Sequence, residues 1–250
     1  MTTLALSSGN QPESPACAFI SPGFRWDSAD AYLFDIDGTL VRSHDPVHYF
    51  AFQYAMRRVF GLEATIDNVP VQGNTDVGIL RAVLRGKGLT DPEINAGLPA
   101  MIEHMCAEAL RNASQMRPEL CPSIRELVST LYSQGKLLGA ASGNLETIGW
   151  LKLEKAGIRP MFSFGAFSYP LEYRAEIFRQ GVQIARQRLG ANASVYVVGD
   201  TPTDIEAAKA VGVPVIAVAT GIFQFDDLLA LEPDACFGCA TDMLKNRVIG

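Results

Sequence analysis

The chain has 250 residues, of which 48% are hydrophobic and 19% charged, and its formal net charge is −6. This composition is typical of folded globular proteins rather than disordered chains, and the length suffices for one core domain plus a smaller second one. The acidic balance argues against a nucleic-acid partner, which needs clustered Lys and Arg, and no apolar run approaches the roughly 20 residues of a membrane span.

Residues 1–28 are rich in Ser, Pro, Ala and Gly and show no periodicity, so we expect a flexible N-terminal extension or a strap lying over the core. The segment lacks the basic start and apolar block of a secretory signal, which predicts a cytoplasmic protein. The five cysteines are odd in number and scattered, as is typical of reduced thiols. Cys236 and Cys239 form a CxxC pair, but the sequence offers no second ligand pair at the spacing of a structural zinc site.

The first structured element is predicted at Ala31–Phe34, where the apolar run AYLF indicates a strand buried on both faces. The strand ends in DIDGTL, where Gly38 breaks it. From about residue 46 to 116 apolar residues recur at helical spacing, and Asp91-Pro92 marks a capped helix start. We therefore expect an all-helical segment inserted after the first strand.

Beyond this segment the pattern alternates between strands and helices. Strands are predicted at 136–141, 163–167, 195–198 and 215–219, with helices at 122–134, 145–156, from about 175, and 203–211 closed by Gly212. Parallel strands need long crossovers, so this alternation predicts an α/β fold with a doubly wound parallel sheet. The predicted core comprises residues 29–43 and 118–250, and the helical insertion comprises residues 44–117.

Polar side chains follow three of the predicted strands. They are Asp35 and Asp37 after the first strand, Ser142 and Asn144 after the second, and Asp200 and Asp204 after the fourth. Ligands of open parallel sheets bind beyond the carboxyl ends of the strands, so we expect these groups to converge. Clustered carboxylates resist ionising together unless a cation neutralises them, which makes Mg²⁺ the natural candidate. Taken singly, each Asp could instead be a turn residue or, for Asp204, a helix cap.

Three segments resemble the haloacid dehalogenase superfamily, in its branch of phosphoglycolate-phosphatase-like hydrolases. They are FDIDGTLV at 34–41, ASGN at 141–144 and VVGDTPTDIEAAKAVGV at 197–213. The likeness covers residues 30 to about 233. It implies a Rossmann-like catalytic core, identifies the helical insertion with the cap of that superfamily, and implies hydrolysis of a small phosphorylated metabolite by a monomer or homodimer.

The resemblance assigns roles to the four aspartates. Asp35 would be the nucleophile that forms an aspartyl-phosphate, and Asp37 the general acid and base. Members that cleave carbon–halogen bonds generally lack an Asp at the second position, so dehalogenation is not expected. Asp35, the Asp37 backbone carbonyl and Asp200 would bind Mg²⁺, while Asp204 would bind the metal's water or orient its neighbours.

The resemblance also implies contacts to the phosphate. Ser142 would hydrogen-bond the transferring phosphoryl group, with Gly143, Asn144 and Thr39 as further substrate contacts. Many members supply a Lys before the following helix, whereas this chain has SYPLEYRAEIF at 168–178. Arg174 is the only basic residue there and is predicted to bind phosphate, the alternative being a solvated Arg at a helix start.

In the cap, GNTD at 73–76 resembles the substrate-specificity segment of the superfamily. Thr75 and Asp76 are therefore candidate substrate contacts, although either could be a plain helix N-cap. His44 and His48 have the i, i+4 spacing of metal ligands. Without a partner carboxylate pattern, we expect them to be surface residues that flank the cap hinge.

Two alternatives to a phosphatase stay open at this point. A sugar phosphomutase would use the same aspartyl-phosphate and almost the same residues. A catalytically idle binding protein could also share the scaffold, because fold does not imply function. The intact aspartates Asp35, Asp37, Asp200 and Asp204 argue against an idle site.

Overall fold

A computed structural model describes residues 17–42 and 46–247. Within them, seven strands form one sheet in the order β1-β7-β6-β5-β2-β3-β4. The strands are β1 Ala18–Ile20, β2 Ala31–Phe34, β3 Leu137–Leu145, β4 Phe164–Ser168, β5 Val195–Gly199, β6 Val215–Val218 and β7 Ala235–Phe237. The helices are α1 Pro46–Phe60, α2 Asp76–Gly86, α3 Asp91–Arg111, α4 Ile124–Ser133, α5 Glu146–Lys155, α6 Arg174–Leu189, α7 Pro202–Val211, α8 Phe225–Leu229 and α9 Ala240–Lys245.

The central strand β2 shows why this sheet is doubly wound. It pairs in parallel with β3 and β5, so that Ala31 lies opposite Leu137 and Val195. Successive side chains point to opposite faces, and all four residues of β2 are buried. Tyr32 and Phe34 therefore face one hydrophobic cluster, while Ala31 and Leu33 face another on the opposite side of the sheet. The predicted α/β fold with a doubly wound parallel sheet is confirmed.

Helices α1, α2 and α3 form the inserted helical segment, which we call the cap. They bury a hydrophobic cluster of their own, with Phe52, Leu80 and Met101 among its members. The same cluster includes Leu145, Ile148 and Leu151 from the end of β3 and from α5, so the cap rests on the core through apolar contacts. The exact division of the chain into residues 44–117 and the two core segments stays a prediction.

Local sequence explains where several helices begin and end. Thr90 and Glu93 form a capping box at the start of α3, and Pro92 occupies its first turn, as the Asp91-Pro92 signal predicts. Gly212 follows α7 with φ +75°, a conformation that favours glycine. None of the described helices has the length and apolar character needed to cross a bilayer.

The chain before β2 differs from the prediction. The first strand is not Ala31–Phe34, because Ala18–Ile20 already pairs antiparallel with β7 at the sheet edge. A three-residue edge strand that is mostly exposed carries no periodic signal, which explains why the sequence pattern misses it. Of the predicted extension, residues 17–28 therefore behave as a strap, while residues 1–16 lie outside the described residues. The elements α8, β7 and α9 were also not predicted.

Trp26 anchors this strap. Its side chain is 1% exposed, contacts the Phe237 ring at a centroid distance of 6.1 Å, and donates a hydrogen bond from Nε1 to the Asn246 carbonyl at 3.0 Å. We expect Trp26→Ala to lower the free energy of unfolding by about 3–5 kcal/mol, because it removes a large buried aromatic group. Urea denaturation followed by circular dichroism measures this change. Tyr132→Ala, at a side chain 54% exposed, is the control, and equal stability of the two variants would contradict burial of the strap.

Candidate active site

Three buried carboxylates meet at the carboxyl edge of the sheet. Asp35 follows β2, Asp200 follows β5 and Asp204 lies in the first turn of α7, and each offers an oxygen within 4.8 Å of the others. Burial raises the pKa of Asp35 to about 7, with Asp204 and Asp37 adding to the rise and Arg174 opposing it. Burial, together with Asp35 and Asp204, also raises the pKa of Asp200 well above its usual value. A bound cation would therefore stabilise the ionised form of these carboxylates.

Two glycines make room for the Asp200 carboxylate. A Cβ on Gly38, whose φ is +86°, would lie 2.2 Å from Asp200 Oδ2, and a Cβ on Gly221 would lie 1.9 Å from the same atom. The hydroxyl of Thr39 donates to Asp200 Oδ1 at 2.8 Å. Thr39 was predicted to contact substrate, but it is buried and does not line the cavity described below. Its place in the structure is that of a support for Asp200.

Arg174 is the cation of this cluster. It is the first residue of α6, and its side chain is 5% exposed, so it is not a solvated Arg at a helix start. Its Nη2 lies 2.7 Å from Asp35 Oδ2, and its Nε donates to Asp204 Oδ1 at 2.7 Å. Although burial alone would lower it, the two carboxylates raise the pKa of Arg174 above its ordinary value, so the guanidinium stays charged.

Asp204 serves the fold and the cluster at once. Its Oδ2 accepts hydrogen bonds from the backbone N–H and the hydroxyl of Thr201, which form a capping box at the start of α7. Its Oδ1 is taken by Arg174. One oxygen of Asp204 therefore caps helix α7, as the helix-cap alternative predicts, and the other oxygen forms the ion pair with Arg174.

A second buried cation, Lys152 on α5, lies beside Asp37. Its Nζ donates to Asp37 Oδ2 at 2.6 Å and to Asn144 Oδ1 at 2.9 Å. Asn144 Nδ2 in turn donates to Asp37 Oδ2 and to Ser142 Oγ, both at 2.7 Å. Burial would raise the pKa of Asp37, but Lys152 and His48 outweigh it and hold that pKa below its usual value. Lys152 was missed because it belongs to no recognised motif.

His48 connects the cap to this network. An ammonium group can only donate, so His48 Nδ1, at 3.1 Å from Lys152 Nζ, accepts that hydrogen bond. The proton then sits on Nε2, which donates to Asp76 Oδ2 at 3.1 Å. The prediction of a surface histidine is wrong for His48, whose side chain is only 13% exposed. The sequence did not show this because its partners Asp76 and Lys152 lie 28 and 104 residues away along the chain. His44 lies outside the described residues.

The segment Gly73–Asp76 contacts both the core and the cavity. Thr75 is the N-cap of α2, as the capping alternative predicts, because its hydroxyl accepts a hydrogen bond from the Gly78 N–H. The same hydroxyl donates to the Glu172 carbonyl. Asp76 Oδ2 also accepts from the backbone N–H of Leu145 at 2.7 Å. Arg81 of α2 binds the Glu172 carboxylate through two 2.7 Å hydrogen bonds. These contacts join the cap to the core on both sides of the site.

A cavity of about 430 Å³ lies between the sheet edge and the cap. We call its polar base the floor, formed by Asp35, Asp37, Ser142, Gly143, Asn144, Lys152, Arg174 and Asp200. The cap lines the cavity with a mixed set of side chains. We call its hydrophobic and aromatic members the roof, formed by Tyr49, Phe52, Ile66, Val69, Val71 and Ile79, and beside them lie the polar residues His48, Asp67, Gln72 and Asn74. Asp76 also lines the cavity, whereas Thr39, Thr75 and Asp204 do not. The structure thus brings together most residues predicted for the site.

Comparison with known proteins gives consistent results. A family model described as haloacid dehalogenase-like hydrolase matches residues 29–212. A phosphoglycolate phosphatase of Synechococcus elongatus is 28% identical over 215 residues, which cover 86% of this chain and 95% of that protein.

Two solved structures support the fold. A predicted phosphoglycolate phosphatase from Haemophilus somnus has a TM-score of 0.62 at 21% identity, covering 87% of this chain and 97% of its own. A putative β-phosphoglucomutase from Bacteroides vulgatus has a TM-score of 0.59 at 24% identity, covering 86% of each chain.

The buried ion pairs of Arg174 predict a large loss of stability when this cation is removed. We expect Arg174→Met to lower the free energy of unfolding by about 3–5 kcal/mol, because Asp35 and Asp204 would stay buried without it. Arg85→Met is the matched control, since Arg85 pairs with Asp91 at 2.8 Å but both side chains are more than half exposed. It should cost less than about 1 kcal/mol. Denaturant titrations without divalent cations would contradict this account if both variants lost equal stability.

Proposed function

Because the chain belongs to the haloacid dehalogenase-like hydrolase family, we propose that it hydrolyses phosphate monoesters through an aspartyl-phosphate on Asp35, with Mg²⁺ as its cofactor. The observation that carries this proposal is the convergence of Asp35, Asp200 and Arg174 on one cavity floor. Phosphate is a dianion that needs a cation near the nucleophile, and the floor provides one. Curated relatives from Synechococcus elongatus and Vibrio cholerae are named phosphoglycolate phosphatases, which supports phosphate as the group attacked.

The donor set suits a hard cation. Asp35 Oδ1 is buried and has no hydrogen-bond partner among the described residues. Burial raises the pKa of Asp35 and of Asp200, and neighbouring carboxylates add to both rises. Asp35, Asp200 and the backbone carbonyl of Asp37 would hold Mg²⁺. Asp204 would act by orienting Arg174, because both of its oxygens are engaged. When bound, Mg²⁺ would neutralise charge on the phosphoryl oxygens.

The floor residues divide the chemistry between them. Asp35 attacks phosphorus and the ester bond to the alcohol breaks. The departing oxygen takes a proton from Asp37, a step that requires Asp37 to be protonated first, against the effect of Lys152 and His48 on its pKa. In the second half Asp37 takes a proton from the water that attacks the aspartyl-phosphate, which returns both residues to their starting state. Ser142 Oγ accepts from Asn144 Nδ2, so its own proton is free to donate to a phosphoryl oxygen. Arg174 keeps positive charge beside the nucleophile throughout.

The proposal extends to the setting of the reaction. The substrate would be a small phosphorylated metabolite, and phosphoglycolate is the one that appears in the name of the Synechococcus elongatus relative. A cytoplasmic location and a monomeric or homodimeric state stay predictions. An idle binding protein is disfavoured, because the family match places the chain among hydrolases.

Replacing the nucleophile should abolish turnover. We expect Asp35→Asn to reduce phosphate release from p-nitrophenyl phosphate by on the order of 1,000-fold or more, since the amide cannot form the phosphoenzyme. Asp91→Asn, at an exposed carboxylate on α3, is the matched control and should keep full activity. Activity that survives in Asp35→Asn would refute the assignment. Isomerisation of a sugar phosphate without phosphate release would support the mutase alternative.

Displacing Asp200 should weaken the metal site. An Ala side chain at Gly221 would collide with Asp200 Oδ2, so we expect Gly221→Ala to raise the Mg²⁺ concentration for half-maximal activity by about tenfold or more. Gly86→Ala is the control, because a Cβ there meets no atom within 4 Å. Titration of Mg²⁺ into chelator-treated protein measures both values. An unchanged requirement in Gly221→Ala would contradict a metal-binding role for Asp200.

A further inference from the structure

The cations of the cavity are already paired with carboxylates of the protein. Among the described residues that line it, Arg174 binds Asp35 and Asp204, and Lys152 binds Asp37. His48 directs its two ring nitrogens to Lys152 and Asp76. With Mg²⁺ and Arg174 serving the phosphoryl group, a second anionic group on a substrate would find no further cation in this part of the chain.

The roof differs from the floor in its hydrophobic character, although the polar side chains of His48, Gln72 and Asn74 also line the cap side of the cavity. Tyr49, Phe52, Ile66, Val69, Val71 and Ile79 present apolar surface to the cavity. The acidic groups on the cap side are Asp67, which accepts from the Tyr49 hydroxyl at 2.8 Å, and Asp76. A carboxylate on the leaving alcohol would therefore lose its hydration against apolar side chains and would be repelled by nearby negative charge.

The cavity is also larger than the phosphate ester of a very small alcohol would fill. At about 430 Å³, the cavity falls within the range of about 300–1,000 Å³ typical of small-molecule sites. The phosphoryl group occupies the floor, so the remaining space lies under the roof. A carbon skeleton placed there would bury apolar surface and gain binding energy from it.

We propose that the substrate is the phosphate monoester of a neutral, largely apolar alcohol, and that phosphoesters of anionic hydroxy acids such as glycolate are poor substrates. This inference rests on the proposed phosphatase activity and specifies its substrate class. The roof selects the alcohol by contact. Because Arg174 serves the phosphoryl group and Lys152 is held by Asp37 and Asn144, the described residues that line the cavity offer no Lys or Arg on the cap side to a second anionic group.

The first experiment compares kcat/KM of the Mg²⁺-loaded enzyme for ethyl, butyl and hexyl phosphate with that for phosphoglycolate. We expect butyl phosphate to exceed phosphoglycolate by at least about tenfold, and kcat/KM to rise by about fourfold per added methylene until the cavity is filled. A kcat/KM for phosphoglycolate equal to or above that for butyl phosphate would overturn the inference. Phosphate release from none of these esters, nor from p-nitrophenyl phosphate, would overturn the phosphatase proposal as well.

A second experiment adds a cation to the roof. Val71 is half-buried and lines the cavity, so the ammonium of Val71→Lys can reach it. We expect this variant to shift the ratio of kcat/KM values toward phosphoglycolate by at least about tenfold, the change equivalent to one new charge contact. Leu110→Lys adds the same charge to an exposed position of α3 and should leave the ratio within about twofold. An equal shift in both variants, or none in a folded Val71→Lys, would contradict selection by the roof.

Discussion

The crowding of negative charge at the carboxyl end of the central strand is the constraint on which the rest of the site depends. Asp35 leaves β2 between two parallel neighbours, and the same edge receives Asp37 and Asp200. Burial makes each charge costly, so the fold must supply compensation at close range. Arg174 and Lys152 provide it, each held within 2.7 Å of a carboxylate oxygen. The glycines that flank Asp200 are a further consequence, because any side chain there would collide with it.

The cap takes part in this compensation and is more than a cover. His48 and Asp76 extend the network of Lys152 into helices α1 and α2, and Leu145 donates its backbone N–H to Asp76. A Cβ on Gly143 would lie only 2.3 Å from the Asn74 carbonyl, which shows how closely the cap approaches the end of β3. The floor and the roof are therefore connected by hydrogen bonds, and the pKa of Asp37 depends in part on His48 of the cap.

Sequence periodicity predicts most of the sheet because its longer buried parallel strands are short apolar runs, and polar residues follow the runs of β2, β3 and β5. The order of these runs is enough to bring Asp35, Ser142 and Asp200 together. The sequence does not predict the hydrogen bonds that Lys152 makes to Asp37 and His48, because these partners lie more than a hundred residues away along the chain and meet it only in the folded protein. The family resemblance suggested Thr39 and Thr75 as substrate contacts, with a helix N-cap as the alternative for Thr75, and in the structure each hydroxyl donates a hydrogen bond to another residue of the protein. Strand β1 exists only through its pairing with β7.

Asp204 carries a consequence for how such a protein can change over evolutionary time. One of its oxygens caps α7 and the other holds Arg174, so a substitution there harms folding and chemistry together. Selection for a stable chain and selection for a working catalyst thus act on the same atoms. The roof residues also serve the fold, since Phe52 and Ile79 belong to the hydrophobic cluster of the cap, but apolar contacts tolerate exchange of one hydrophobic side chain for another of similar size. New substrate preferences can arise there by gradual drift, while the reaction itself is inherited unchanged.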